Sequence, residues 1–257
     1  MFPKHRLVGF CGAPGAPALG PLGKGNLAQQ IAAIDKAAAP YSTPDRTILP
    51  VVEMISTMVH AKPGPDGTYR ERLSMDTVRQ WHQAARDAKA LFLLNIQPGN
   101  ADFVEEVAHY DDLLAEPDVG LALDPEWAVK KGQRPGRVFG SVTGAKLNEC
   151  ADHVAGIVAE HDLPEKVMLF HQLHKSVVTD EAALLPHPGV VFIKSVDGIG
   201  SPADKSALYT KLTEGVPAHI RPGFKLFYEE DTEGGGKLMT PEEVMALQPA
   251  PEYVLYE

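Results

Sequence analysis

Short runs of apolar residues recur along the chain, and most of them are separated by stretches in which apolar positions have helical spacing. We predict eight strands, over residues 6–12, 47–55, 91–97, 119–126, 166–173, 189–197, 223–230 and 252–257. Helices are predicted between them, over residues 27–38, 74–90, 100–115, 146–162, 201–214 and 240–247, with a short helical piece at 179–185. Ser74, Ser201 and Thr240 stand where three of these helices begin, as N-cap residues do.

The strands are continuously apolar, which favours a parallel sheet with both faces covered by helices. Eight β/α steps in 257 residues predict a closed (β/α)8 barrel of the TIM type, formed by residues 1–257 as a single domain. We expect an irregular barrel, because the connection after the fifth strand is short and no helix follows the eighth strand. A doubly wound open sheet is the alternative, but no glycine-rich phosphate-binding motif follows any strand.

The charge of the chain limits its partners. The net charge is −10, and no run of five or more Lys and Arg residues occurs, so the overall field repels nucleic acid and anionic lipid. No apolar run approaches the roughly 18 residues of a membrane-spanning helix. The start, "MFPKHRLVGF", has too short an apolar run for a signal peptide. We expect neither a nucleic-acid partner nor a membrane span, and we favour a secreted or cell-envelope location whose leader is absent from this chain, with the cytoplasm as the alternative.

Polar residues gather where the predicted strands end, although the strand bodies are almost without charge. In a barrel of this type the C-terminal ends of the strands meet at one mouth, where substrates bind. From the second strand to the eighth, these ends carry Glu53; Asn95 and Gln97; Asp124, Glu126 and Trp127; His171, Gln172 and His174; Lys194 and Asp197; Tyr228, Glu229, Glu230 and Asp231; and Tyr256 and Glu257. We expect these side chains to surround a common hollow.

The fourth strand ends in two carboxyl groups, within the stretch "VGLALDPEW". A period of two residues puts Asp124 and Glu126 on one face, towards the barrel mouth, and Leu121 and Leu123 on the other face, towards the helices. Two carboxyl groups at this spacing push each other's pKa values apart, so that one tends to stay protonated while its neighbour is ionised.

Glycoside hydrolysis requires such a pair, with an acid for the leaving oxygen and a base or nucleophile opposite. Glu126 is the predicted general acid, and Asp124, Asp197 or Glu229 is predicted to supply the second carboxylate. The residues predicted to bind the sugar are Glu53, Asn95, Gln97, Trp127, His171, Gln172 and Tyr228, with Lys194 as a further candidate. The spacing of His171 and His174 puts them on opposite faces of a strand, so we predict no metal site, and nothing in the sequence implies a cofactor.

The Asp-x-Glu of "LDPE" at the tip of the fourth strand resembles several barrel-type glycoside hydrolases, including the lysozyme-type muramidases. In those families the glutamate is the acid and nearby aspartates assist, which implies these roles for Glu126 and Asp124. The resemblance covers this motif and the strand rhythm, and "VGFCGAP" stands at the first strand tip, where the family has an aspartate. It implies a carbohydrate substrate, either a polysaccharide or a cell-wall glycan.

Two other functions fit the same pattern. Lys194, in "VVFIKSVDG", resembles the Schiff-base lysine of class I aldolases that share this fold, and apolar surroundings would lower its pKa and let it attack a carbonyl group. An ion pair with Asp124 or Glu229 is the structural alternative for this lysine. The polar hollow is also compatible with a protein that binds a sugar or peptide without cleaving it.

Overall fold

The computed structural model describes residues 1–257. Eleven strands follow one another along the chain: β1 (His5–Gly12), β2 (Thr47–Val59), β3 (Arg70–Arg72), β4 (Leu91–Ile96), β5 (Val119–Leu123), β6 (Val142–Thr143), β7 (Lys166–Gln172), β8 (Val178–Thr179), β9 (Val190–Val196), β10 (Arg221–Leu226) and β11 (Tyr253–Tyr256). The α-helices are α1 (Leu27–Ala38), α2 (Met75–Asp87), α3 (Phe103–Ala108), α4 (Asp111–Leu114), α5 (Gly144–Glu160), α6 (Pro202–Thr213) and α7 (Pro241–Met245).

Eight parallel strands close into a barrel, which confirms the predicted TIM-type fold. Their order around the barrel is β1, β2, β4, β5, β7, β9, β10 and β11, and β11 returns to pair with β1. In the closing register Leu7 lies beside Tyr253 on one side and beside Leu49 on the other. Closure leaves none of these eight strands with an unpaired edge.

Alternation along each strand sorts the apolar side chains into two cores. The larger core lies between the barrel and the helices and includes Leu121 and Leu123, as predicted. The smaller core fills the barrel and includes Ala122, Leu169 and Ile193. Each barrel strand therefore presents one row of side chains to the interior, and a polar residue in that row meets polar residues from the other strands.

Several connections depart from the predicted elements. Strand β2 continues to Val59 and pairs antiparallel with β3, outside the barrel. The predicted helix at 100–115 is divided into α3 and α4, and the predicted helical piece at 179–185 is β8 followed by a short 3₁₀ turn. Strands β6 and β8 form a separate two-stranded sheet. None of the helices combines the length and the apolar character that a membrane crossing needs.

The three predicted N-caps are confirmed, since Ser74, Ser201 and Thr240 each accept a hydrogen bond from a backbone N–H in the first turn of α2, α6 and α7. These caps use N–H groups that have no partner inside the helix. They fix where three of the helices that surround the barrel begin.

A buried ion pair joins two of the loops at the barrel mouth. Lys205 of α6 lies 2.8 Å from the carboxylate of Asp231, and both side chains are at most 1% exposed. The lysine also donates to the carbonyl of Gly198 at 2.6 Å, and Asp231 accepts from the backbone N–H of Gly200 and of Phe227. The pair therefore holds the loop after β9 and the loop after β10 against each other.

Candidate active site

A cavity of about 590 Å³ opens at the C-terminal ends of the barrel strands. Its polar lining includes Gln97, Asp124, Glu126, Asp197, Lys225 and Glu257. Three of the four carboxyl groups predicted to be catalytic therefore lie in one cavity, as the distribution of polar strand ends led us to expect.

Glu53 lies inside the barrel and does not itself line the cavity. Because β2 extends to Val59, Glu53 stands in mid-strand rather than at the predicted tip, and it is fully buried. Its carboxylate accepts hydrogen bonds from Asn95 Nδ2 and His171 Nε2, each at 2.9 Å, and from the hydroxyl of Tyr253. Burial favours the neutral acid, but the charge and hydrogen bond of His171 outweigh burial and lower the pKa of Glu53 to about 2.

His171 connects three carboxyl groups that come from three different strands. Its Nε2 atom lies 2.9 Å from Glu53 Oε1 and 3.7 Å from Asp124 Oδ1, and its Nδ1 atom lies 3.4 Å from Asp197 Oδ2. Burial opposes a charge on the imidazole, but Glu53 and Asp124 raise the pKa of His171 well above its ordinary value. The carboxyl groups around His171 therefore favour its charged form.

Asp124 is held by two amide side chains. Asn95 Nδ2 donates to its Oδ1 atom at 3.1 Å, and Gln97 Nε2 donates to its Oδ2 atom at 3.0 Å. Burial raises the pKa of Asp124, while the charges of His171 and Lys225 act in the opposite direction. Both of its oxygens thus have fixed donors, and the carboxyl group has little freedom to reorient.

Glu126 reaches the cavity from a turn, because β5 ends at Leu123 and residues Pro125–Trp127 form a 3₁₀ turn. The predicted strand alternation therefore does not extend to Glu126, although its carboxyl group lines the cavity beside Asp124. The residue is half-buried as a whole, while its Oε2 atom is buried and has no hydrogen-bond partner. Burial, together with the nearby Asp124 and Asp197, raises the pKa of Glu126 well above its ordinary value.

Asp197 follows β9 and is 6% exposed. Its Oδ2 atom faces His171, but its buried Oδ1 atom has no hydrogen-bond partner in the protein. The neighbouring Lys225 forms an ion pair with Glu257 at 2.6 Å. Burial lowers the pKa of Lys225, but its neighbours Glu257, Cys11 and Asp197 raise the pKa by more than burial lowers it. The pKa of Lys225 therefore lies well above its ordinary value, which favours the ammonium form.

Lys194 and Gln172 lie away from the cavity, which corrects two predicted site positions. Their neighbours Ile193 and His171 point into the barrel, so alternation turns Lys194 and Gln172 to the outer face. Lys194 Nζ binds Glu181 Oε1 at 2.7 Å and a backbone carbonyl of α6, and Gln172 Nε2 donates to the carbonyl of His174. Lys194 therefore has no access to a substrate in the cavity.

Glu229 and Tyr228 also lie outside the cavity, because β10 ends at Leu226 and the chain turns away earlier than predicted. The Glu229 carboxylate is 67% exposed and binds Lys24 at 2.6 Å. The Tyr228 ring stacks on Tyr256 with the ring centroids 5.1 Å apart, behind the strands. The cavity that Asp124, Glu126 and Asp197 line therefore gives no support to the roles predicted for Glu229 and Tyr228.

The sequence analysis missed several residues that the structure brings to the site. Lys225 lies between Phe224 and Leu226 in β10, and a lysine among buried apolar residues is the signal that could have indicated an inward position. Tyr253 lies on β11 inside the barrel. The cavity wall also includes Phe139 and Ile199, which come from loops without any periodic pattern. No group of three or more His, Cys, Asp or Glu side chains has an arrangement suited to a metal ion.

No family model matches the sequence, and no curated protein matches it. Among solved structures, the chain is similar to the GH18 chitinase ChiB from the chitin utilization locus of Flavobacterium johnsoniae, with a TM-score of 0.42 and 12% identity over 98% of this chain and 87% of that chain. It is also similar to a hyperthermophilic endo-β-1,4-glucanase in complex with substrate, with a TM-score of 0.39 and 8% identity over 81% of this chain and 76% of that chain. At these identities the similarity concerns the fold alone.

The ion pair between Glu53 and His171 makes stability depend on pH. The pKa of Glu53 is about 2 in the folded protein and about 4.5 in the absence of these contacts, so its stabilising effect is complete above about pH 4.5 and is lost as the pH falls towards 2. We expect Glu53→Gln to lower the free energy of unfolding near neutral pH by about 3–5 kcal/mol, because it removes one member of a buried pair. We also expect the variant to lose less stability than the parent protein between pH 4.5 and 3.

Urea denaturation at pH 3, 4.5 and 6 measures both effects. Glu229→Gln is the matched control, because it makes the same carboxyl-to-amide change at an exposed ion pair, and its acid response should equal that of the parent protein. An unchanged acid response in Glu53→Gln would show that Glu53 is not an ionised partner of His171.

Proposed function

We propose that this protein hydrolyses glycosidic bonds of a glycan by carboxyl acid–base catalysis. The observation that supports this function is the pairing of Glu126 with Asp197 in one cavity. Burial, with the nearby Asp124 and Asp197, raises the pKa of Glu126 well above its ordinary value, and Asp197 lines the same cavity with a buried Oδ1 atom that has no hydrogen-bond partner. A protonated acid and a second carboxyl group at the mouth of a barrel are the groups that glycoside hydrolysis requires.

In the proposed reaction, Glu126 donates its proton to the glycosidic oxygen as the bond from that oxygen to the anomeric carbon breaks. The electron pair of the broken bond stays on the leaving oxygen, which departs as an alcohol. Asp197 acts at the anomeric carbon, either by attacking it or by removing a proton from the attacking water. If Asp197 attacks carbon, water then displaces it from the anomeric carbon, supplies the hydroxyl group of the product and returns a proton to Glu126. If Asp197 acts as the base, it takes the proton of the attacking water, and protons exchanged with solvent restore Glu126 to its acid form and Asp197 to its ionised form.

Asp197 fits the role of the second carboxylate better than Asp124 does. Both oxygens of Asp124 accept hydrogen bonds from amide groups, whereas the Oδ1 atom of Asp197 is free. A nucleophile or base needs an oxygen that other donors do not already hold in hydrogen bonds. We assign Asp124 an electrostatic role, in which its fixed carboxylate stabilises the positive charge that develops on the sugar ring in the transition state.

The structure argues against the aldolase alternative. Lys194 is on the outer face of the barrel, bound to Glu181. Lys225 does line the cavity, but its ion pair with Glu257 keeps it protonated, and an ammonium ion cannot attack a carbonyl group. A sugar-binding protein without catalysis remains the competing function, and the amide variant of Glu126 distinguishes the two.

We expect Glu126→Gln to lower kcat by about 10²–10⁴-fold, because the amide cannot donate the proton. The release of reducing ends from a panel of cello-oligosaccharides, chitin oligosaccharides and peptidoglycan measures this activity. In the parent enzyme, kcat should fall as the pH rises through the raised pKa of Glu126, since only the protonated acid is active. That alkaline decline should be absent from the residual activity of Glu126→Gln.

Glu229→Gln is the control for this experiment and should keep the parent activity, because Glu229 lies outside the cavity. Binding of the same glycans by both variants, without turnover by the parent protein, would identify a non-catalytic binding protein. Full activity of Glu126→Gln would remove Glu126 from the proposed mechanism.

The second carboxylate is tested by Asp197→Asn and Asp124→Asn. We expect Asp197→Asn to lower kcat by more than about 10²-fold, since the amide neither attacks carbon nor accepts a proton from water. Sodium azide, a small anionic nucleophile, should restore part of the activity of Asp197→Asn by forming a glycosyl azide, but it should not restore Asp124→Asn. Azide rescue of Asp124→Asn in place of Asp197→Asn would exchange the two roles.

A further inference from the structure

One side of the cavity mouth is formed by exposed apolar side chains. The protein has four large apolar side chains that are strongly exposed, and three of them, Val138, Phe139 and Ile199, line this cavity. Their exposed fractions are 43%, 58% and 59%. Trp127, the residue next to Glu126, lines the cavity with them. We call these four residues the apolar wall. Exposed apolar side chains that line one cavity favour the binding of an apolar group, because their contact with water is unfavourable.

The apolar wall is attached to the turn that carries Glu126. The backbone N–H of Gly140 donates to the carbonyl of Glu126 at 2.6 Å, and that of Ser141 donates to the carbonyl of Ala128 at 3.0 Å. A Cβ atom on Gly140 would lie 2.5 Å from the backbone of Ala128, so only glycine permits this close approach. The segment with Val138 and Phe139 is thereby fixed beside the proposed acid.

Two residues of the apolar wall, Phe139 and Ile199, are also held by contacts with neighbouring segments. The ring of Phe139 stacks on His174, with the ring centroids 6.2 Å apart and an angle of 21° between the planes. Ile199 lies between Gly198, whose carbonyl accepts from Lys205, and Gly200, whose N–H donates to Asp231. The apolar side chains are therefore held at the mouth by packing and by the buried ion pair beneath them.

We propose that the apolar wall binds the leaving group of the substrate, and that this leaving group is an apolar alkyl or aryl aglycone. The inference rests on the proposed function, because a general acid must contact the leaving oxygen, and the leaving group must then lie against the turn that carries Glu126. A sugar in this place would need hydrogen-bond partners for its hydroxyl groups, whereas the wall offers mainly apolar surface.

The cavity also has charged lining residues, which suit the sugar of such a glycoside. They include Asp124, Asp197, Lys225 and Glu257, which are suited to the hydroxyl groups of a sugar ring. The cavity thus combines charged groups with exposed apolar side chains, and Glu126 lines it together with both. An amphiphilic glycoside, with its sugar at the charged residues and its aglycone at the apolar wall, places the scissile oxygen at Glu126.

Paired methyl and n-octyl glycosides of glucose, galactose, mannose and N-acetylglucosamine test this proposal. Methanol and octanol have similar leaving-group acidity, so the members of each pair differ mainly in apolar surface. Binding is measured by calorimetry on Glu126→Gln, below the micelle concentration, so that it does not depend on turnover. For at least one sugar we expect the octyl glycoside to bind about tenfold or more tightly than the methyl glycoside, as burial of several methylene groups predicts.

Phe139→Ala and Ile199→Ala, each combined with Glu126→Gln, should reduce this octyl preference by about threefold or more, because each removes apolar contact area. Leu185→Ala is the matched control, since Leu185 is 58% exposed but lies outside the cavity, and it should keep the full preference. Equal binding of methyl and octyl glycosides would overturn the proposal. So would an octyl preference that persists in both alanine variants, or tighter binding of unmodified oligosaccharides that depends on Phe139.

Hydrolysis by the parent enzyme separates this inference from the proposed function. A higher kcat/KM for the octyl glycoside than for the methyl glycoside, with a smaller difference in Phe139→Ala, supports both the glycosidase function and the apolar leaving group. An octyl preference in binding that depends on Phe139, without any hydrolysis, would support the apolar ligand and contradict the glycosidase.

Discussion

The site depends on the buried ring of His171, whose charged form is favoured by the carboxyl groups that surround it from separate parts of the barrel. Glu53, Asp124 and Asp197 approach it at distances of 2.9, 3.7 and 3.4 Å. Three carboxyl groups crowded in a barrel interior would repel one another and favour their neutral forms. The charged ring compensates this repulsion and holds their orientations, so that the acidic ends of strands far apart in sequence form one stable floor.

The chemistry that we propose follows from which groups this floor leaves without partners. Glu53 and Asp124 are fully engaged by hydrogen bonds, and they serve to hold the arrangement. Glu126 and Asp197 each keep a buried oxygen that no protein group binds. A buried polar atom without a partner is costly, which sets Glu126 and Asp197 apart from the fully hydrogen-bonded Glu53 and Asp124. In the proposed mechanism Glu126 and Asp197 therefore take part in bond breaking, while Glu53 and Asp124 remain fixed, and Asp124 acts only through its charge.

The sequence was sufficient for the barrel, because continuous apolar strands between helices leave few other arrangements. It was also sufficient to bring Asp124 and Glu126 to one mouth, since all parallel strands end there. Lys194 shows the limit of such reasoning, because a shift of one residue in the alternation moves a side chain from the cavity to the outer face. Glu229 was misplaced because its strand ends earlier than the apolar pattern indicates, and Phe139 was missed because loop geometry has no period.

The charge of His171 is the most direct test of this account. Nitrogen NMR of the histidine side chains, with His171 assigned by comparison with His171→Gln, reports the protonation of its ring as the pH is raised. We expect the ring to remain an imidazolium well above the ordinary histidine pKa of 6.5, because the Glu53 and Asp124 carboxylates outweigh the cost of burial. A ring that loses its proton at or below pH 6.5 would contradict the charged form of His171 on which the arrangement of the site is based.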